Sequence, residues 1–112
     1  MVKTSQMKVR VFGQTLNVRV DNEKVAAEKA DGLFDEKTMS ILLGTMDLAP
    51  NKEFSKEYVM SVFIHELSHA ALDISGVSKG LTEQQEEAIC WAIGNGFKDV
   101  ISSEIKDYVT KL

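Results

Sequence analysis

A long apolar segment between Ser55 and Gly76 constrains the fold of this chain more than any other feature of its sequence. Ser55 can cap the N-terminus of a helix, and Gly76 is the kind of residue that commonly ends one, so we expect a helix that runs to about Ile74. Apolar side chains occur nearly all the way round this helix and leave no continuous polar face. Such a helix has to lie in the middle of a domain, with the rest of the chain packed around it.

Both histidines of the chain fall inside this helix, in the H-E-x-x-H sequence of residues 65–69. Residues four apart lie on one face of a helix, so the imidazoles of His65 and His69 can reach a single metal ion. Glu66 is offset toward a metal-bound water and could act as its general base. Two histidines placed at random in a chain of this length are four apart about 2% of the time, so chance is a poor explanation. The motif predicts a metal site on the buried helix.

Composition indicates one ordinary globular domain over residues 1–112, with 44% hydrophobic and 27% charged residues. The net charge is −4 and no block of basic residues stands out, so neither a nucleic-acid partner nor an anionic membrane surface is expected. The stretch from Tyr58 to Ile74 contains too many polar residues to cross a membrane. Cys90 is the only cysteine and the N-terminus does not resemble a signal peptide, so we expect an intracellular, cytoplasmic protein.

The N-terminal half of the chain predicts a small β-sheet. Hydrophobic and polar residues alternate over residues 7–20, and Gly13-Gln14 supplies a turn, which together indicate a β-hairpin. Residues Asn22–Ala30 favour a short helix, and Asp31-Gly32 marks a turn. The apolar run Thr38–Leu43 is long enough for a strand and too short for a typical helix, so we expect a third strand there.

The C-terminal part of the chain predicts a second helix. Thr82, followed three residues later by Gln85, forms a capping-box pattern that opens this helix. The segment Gly94-Asn95-Gly96 is expected to weaken or kink it. Continuation of the helix, or a third helix, is indicated by the apolar residues beyond: Val100, Ile101, Ile105 and Tyr108.

The second helix also offers a third metal ligand. A catalytic zinc site normally has three protein ligands, and no histidine remains, so the third should be a carboxylate. The best source is the acidic cluster of Glu83, Glu86 and Glu87 at the start of the helix. Glu86 lies at helical spacing from Ile89, Ile93 and Phe97 and so could point inward. The helical pattern alone therefore leaves Glu86 and Glu87 both open.

At this point the chain resembles the gluzincins, zinc peptidases whose third ligand is a Glu on a helix after the H-E-x-x-H helix. In thermolysin-like members the ligand Glu precedes Ala in an Asn-Glu-Ala-x-x-Asp pattern, and the comparable stretch here is residues 86–91. The ImmA/IrrE-like peptidases also place a Glu-Ala pair after a short loop, and small phage and prophage metallopeptidases resemble this chain over most of its length. This resemblance points to Glu87 as the third ligand.

The resemblance implies a zincin-like α+β fold and a zinc-dependent metallopeptidase that acts on proteins or peptides. The small N-terminal sheet, a hairpin plus an edge strand, would pack on the motif helix, and a C-terminal helix would carry the third ligand. One Zn²⁺ per chain would be held by His65, His69 and Glu87, with Glu66 as the general base. The strand at Thr38–Leu43 would be the edge that binds the substrate. The phage relatives imply the cytoplasm of a bacterial host.

The chain departs from the thermolysin-like pattern where Trp91 replaces an Asp that orients a zinc histidine. Asp73, one turn beyond His69 on the same helical face, is a candidate replacement, although it could equally face solvent near the helix end. Tyr58 and Tyr108 are the side chains of a type that could steady an oxyanion, and simple packing is their ordinary role. A non-catalytic, zinc-stabilised interaction module remains an alternative function.

Overall fold

The computed structural model describes residues 6–99 and 103–111 of the chain. It begins with the predicted hairpin, formed by strands β1 (Gln6–Val11) and β2 (Gln14–Val20). The turn lies at Phe12 and Gly13, one residue earlier than expected. Both residues have positive φ, 48° and 77°, as a tight two-residue hairpin turn requires.

The next segment contains more strands than the sequence indicated. A short helix, α1 (Asn22–Ala27), ends before the expected Ala30, and strand β3 (Gly32–Asp35) follows where the sequence predicted only a turn. Strand β4 (Ser40–Leu43) is the strand expected over residues 38–43. A separate two-stranded ribbon is formed by β5 (Met46–Asp47) and β6 (Lys52–Glu53).

The main sheet has the strand order β1-β2-β4-β3, with β4 parallel to β2 and antiparallel to β3. The expectation that Thr38–Leu43 forms the edge strand is therefore wrong, because β4 lies between two strands. All four residues of β4 are buried, as is usual for an interior strand covered on both faces. The edge on this side of the sheet is β3.

The predicted central helix is α2 (Lys56–Ser75), which Ser55 caps and Gly76 ends with a φ of 84°. Its apolar side chains join those of β2 and β4 in the core, which includes Leu16, Val18, Ile41, Val62 and Ala70. The architecture is therefore α+β, with a small N-terminal sheet packed on helices. Within the described ranges, no helix is both long and apolar enough to cross a membrane.

A 3-10 helix (Val77–Gly80) connects α2 to α3 (Glu83–Phe97), whose N-terminus has the predicted capping box between Thr82 and Gln85. The helix continues through Gly94 and Gly96 to Phe97. A further helix, α4 (Ser103–Thr110), lies where a third helix was considered. The predicted apolar residues Val100 and Ile101 fall outside the described ranges.

Two glycines allow close packing around the middle of α2. A Cβ atom on Gly94 of α3 would lie 2.5 Å from the Ser61 carbonyl oxygen and 3.3 Å from the Cβ of His65. A Cβ atom on Gly32 of β3 would lie 2.5 Å from the Cγ1 of Val62 and 3.2 Å from the Cγ of Glu66. The second helix and the edge strand therefore both contact α2 at the H-E-x-x-H motif.

Candidate metal centre

The structure brings three of the predicted site residues together at the contact between α2 and α3. One ligand atom each from His65, His69 and Glu87 lies within 4.8 Å of the others. His65 is 4% exposed, and the two histidines project from adjacent turns of α2. Glu87 reaches them from the second turn of α3 and is the most exposed of the three residues. These residues form a group that could hold a metal ion.

The distances within this group suit a small metal ion. The Nε2 atoms of His65 and His69 are 3.1 Å apart. The Glu87 carboxylate lies 2.6 Å from Nε2 of His69 through one oxygen and 3.5 Å from Nε2 of His65 through the other. Neighbouring ligand atoms around a tetrahedral zinc ion, with bonds of 2.0–2.1 Å, are about 3.3 Å apart. The group is therefore close to the required size.

The hydrogen bonds of His69 explain why a cation fits here. Nδ1 of His69 lies 2.5 Å from the Glu86 carboxylate, which can only accept a hydrogen bond when ionised. A neutral ring that donates its Nδ1–H to Glu86 has a bare lone pair on Nε2. That lone pair faces a carboxylate oxygen of Glu87 and the Nε2 atom of His65. A metal ion satisfies all three of these atoms at once.

When no metal is present, a proton on His69 can supply the positive charge that the neighbouring carboxylates favour. Burial lowers the pKa of His69, but the hydrogen bond to Glu86 and the charges of Glu66 and Glu87 outweigh that effect, so the pKa is raised. The site therefore attracts positive charge, as either a proton or a metal cation. Metal binding would displace the proton from Nε2.

His65 has a different environment. Burial is the main cause that lowers its pKa, with the repulsion of His69 adding to it, so the ring favours the neutral form that binds metals. Its ring contacts the indole of Trp91, with centroids 4.1 Å apart and planes tilted by 47°. Its Nδ1 is buried without a side-chain partner, and the main chain of Cys90 contacts the ring and acts to raise its pKa. His65 is thus packed against Trp91, whereas both ring nitrogens of His69 contact carboxylates.

Glu66 lies beside the group on the side of the edge strand. Its Oε2 is 3.9 Å from Nε2 of His65, and the residue is 7% exposed. Burial raises the pKa of Glu66 to about 7, the charge of Glu87 adds to the rise, and His69 and the main chain of Phe34 oppose it. A carboxyl group with a pKa near neutrality suits a general base.

Asp73 does not take the orienting role that the sequence left open for it. The carboxylate that contacts Nδ1 of His69 is that of Glu86. Asp73 is half-buried and is not among the described hydrogen-bond partners of either histidine. Residue 73 lies near the C-terminal end of α2, whereas α3 runs directly past His69. The sequence did single out Glu86, although as an alternative ligand.

The two tyrosines also lie away from the group. The hydroxyl of Tyr58 donates a hydrogen bond to Asp31, just before β3. Burial and this partner raise the pKa of Tyr58 to about 12. Tyr108 is 67% exposed on α4. Among the described residues, neither tyrosine lines the cleft that contains the group, so neither is placed to steady an oxyanion there.

The group opens into a cleft of about 940 Å³ whose other wall is β3 and its flanking loops. The Gly44 N–H donates to the Asp31 carbonyl, so the main-chain groups of the alternate residues Gly32 and Phe34 point away from β4. Both residues line the cleft, and a Cβ on Gly32 would lie 3.5 Å from the Glu66 carboxylate. The sequence did not indicate this strand, since four residues beginning with glycine carry little strand signal.

Comparisons with known proteins found no relative of this chain. No family model, no curated protein and no solved structure matches it. Function is therefore inferred from the chemistry of the site itself.

Proposed function

We propose that this protein is a minimal, zincin-like zinc metallopeptidase with one zinc ion per chain. The observation that carries the proposal is the convergence of His65, His69 and Glu87 on one point, with the buried carboxyl of Glu66 beside it. The edge strand β3 lies along the same cleft. A metal site, a neighbouring base and a strand edge are what hydrolysis of an extended peptide needs.

The donor set favours zinc. Two imidazole nitrogens and one carboxylate are the ligands of one well-known type of catalytic zinc site, which leaves a fourth position open for water or substrate. The side chain of Glu87 is 51% exposed, so the ligand group is open to the cleft on that side. A structural zinc site is instead usually closed by four protein ligands.

In the proposed mechanism the chain supplies the metal ligands, the base and the substrate track. Zinc would polarise the scissile carbonyl and lower the pKa of the attacking water. Glu66 accepts a proton from that water at its carboxylate and then delivers it to the departing amine. The edge of β3 along the cleft pairs with an extended peptide and holds its backbone, while the main chain of Phe34 also holds the Glu66 carboxyl group in place.

The first experiment measures zinc content and hydrolysis together. Wild-type protein should bind about one zinc per chain and cleave an unstructured protein, and a chelator should stop the cleavage until zinc is restored. Glu87→Ala should lose zinc and activity, whereas Glu83→Ala, at an exposed position of the same helix, should keep both. Wild-type protein that binds no zinc would refute the proposal.

A non-catalytic, zinc-stabilised interaction module is the second candidate. The observation that favours it is that no tyrosine and no third histidine lines the cleft among the described residues, so no side chain of those types is placed to steady an oxyanion. In this case β3 would bind a partner strand without cleaving it. Zinc binding without any chelator-sensitive cleavage of unstructured proteins would support the module over the peptidase.

A further inference from the structure

Two adjacent glutamates of α3 contact the same histidine from opposite sides of its ring. Glu86 lies 2.5 Å from Nδ1 of His69, and Glu87 lies 2.6 Å from Nε2. Consecutive residues of a helix point about 100° apart, so the two side chains can reach different edges of one imidazole. Nε2 of His69 thus faces the other two residues of the candidate metal group, and Nδ1 contacts Glu86.

We propose that Glu86 is a positioning residue that fixes the tautomer and orientation of His69, so that Nε2 is presented to the metal. The inference rests on the metal site of the proposed function and not on peptide hydrolysis. By accepting the Nδ1–H, Glu86 keeps the lone pair on Nε2 and increases the basicity of that nitrogen. Glu86 itself is not a ligand, because it contacts the nitrogen that points away from His65 and Glu87.

Burial makes this contact more than a surface ion pair. The side chains of Glu86 and His69 are 22% and 16% exposed, whereas that of Glu87 is 51% exposed. Solvent screens a buried pair much less than an exposed one. The described hydrogen bonds give His65 no comparable carboxylate on its Nδ1, so support of this kind falls on His69 alone.

The contact between Glu86 and His69 also explains how the site can have Trp91 where the thermolysin-like pattern has an orienting Asp. The indole of Trp91 is packed on His65 and cannot accept a hydrogen bond from a ring N–H. Glu86, one residue before the ligand Glu87 rather than four residues after it, supplies the missing carboxylate to the other histidine. The side chains at positions 86 and 91 thus support one histidine each, by a hydrogen bond and by packing respectively.

The test compares the zinc affinity of variants in a competition with a chromophoric chelator at fixed pH. Glu86→Ala should bind zinc 10- to 100-fold more weakly than wild type, the range typical of partners that orient a ligand. Glu86→Gln should lose less, because its amide oxygen still accepts the Nδ1–H. Glu83→Gln, in the first turn of the same helix, should match wild type.

A spectroscopic readout separates positioning from general support of the fold. In zinc-loaded wild type, the ¹⁵N spectrum should show His69 with a protected Nδ1–H, and Glu86→Ala should lose that protection while its helices remain intact. Equal zinc affinity of Glu86→Ala and wild type would overturn the inference and leave the proposed function untouched. Complete loss of zinc in both Glu86→Ala and Glu86→Gln would make Glu86 a ligand and also overturn it. Absence of zinc from wild type would instead overturn the metal site itself.

Discussion

Gly94 lies so close to Ser61 that a methyl group on its Cα would come within 2.5 Å of the Ser61 carbonyl oxygen. This contact sets the distance between α3, which carries Glu86 and Glu87, and α2, which carries the two histidines. Because the nearest atom is main chain, the crowding can be relieved only if one of the helices shifts. The arrangement of His65, His69 and Glu87, the candidate metal group, therefore depends on a glycine that is not itself one of the three residues.

Replacement of Gly94 by Ala should destabilise the protein. Overpacking costs about 1 to 3 kcal/mol, and because the atom that must move here is main chain we expect the upper part of that range, which exceeds the gain of about 1 kcal/mol that Ala brings to a helix. Gly96 is the matched control, since it lies in the same helix and has nothing within 4 Å of its ideal Cβ. Urea unfolding should show Gly94→Ala to be less stable than wild type and Gly96→Ala to be as stable or more so. Equal stability of the two variants would contradict the close approach.

The contribution of Tyr58 to the free energy of unfolding should be lost at alkaline pH. Its pKa is raised to about 12 in the folded state by burial and by Asp31, against an ordinary value of 10.0. A group whose folded pKa is raised contributes its stability below its unfolded pKa and loses it as pH rises through the folded pKa. The Tyr58 contribution should therefore be complete below about pH 10 and disappear toward pH 12.

The measurement compares wild type with Tyr58→Phe by denaturant unfolding between pH 8 and pH 12. The variant should be about 1.5 to 3 kcal/mol less stable at pH 8, the range for a hydrogen bond to a charged partner, and the difference should shrink as the pH rises. Tyr108→Phe, at an exposed position of α4, serves as the control and should match wild type at pH 8. A Tyr58→Phe deficit that stays constant up to pH 12 would contradict the pairing with Asp31.

Trp91 provides an optical probe of the metal group. It is the only tryptophan in the chain, and its ring centroid lies 4.1 Å from that of His65. Titration with Co²⁺, whose d-electrons quench a nearby indole, should reduce the fluorescence and saturate at one equivalent. His65→Ala should abolish the saturable change. Quenching of equal strength and stoichiometry in that variant would place the metal elsewhere.

The features that could be predicted from sequence are those fixed by local patterns. Ser55 and Gly76 bound α2 because capping and left-handed C-terminal residues act within one turn, and the spacing of His65 and His69 sets their common face. The capping box of α3 is local in the same way. These elements hold most of the candidate site, which is why the metal group could be anticipated.

The features that could not be predicted depend on contacts between distant segments. Which strand is the edge depends on how β4 pairs on both sides, and the apolar residues of Thr38–Leu43 do not specify their neighbours. The different contacts that Glu86 and Glu87 make with His69 depend on how α3 packs against α2, including the close approach at Gly94. Asp73 shares a helical face with His69, but the neighbouring helix reaches the ring and Asp73 does not.

The most direct test of the central claim is the comparison of Glu66→Gln with wild type and with Glu57→Gln. Glu57 lies exposed in the first turn of the same helix and controls for the substitution itself. Each protein is assayed for zinc content and for cleavage of an unstructured protein. Glu66→Gln should keep about one zinc per chain and lose activity by about 10² to 10⁴-fold, the usual contribution of a general base, while Glu57→Gln behaves as wild type. Full activity in zinc-loaded Glu66→Gln would contradict the account.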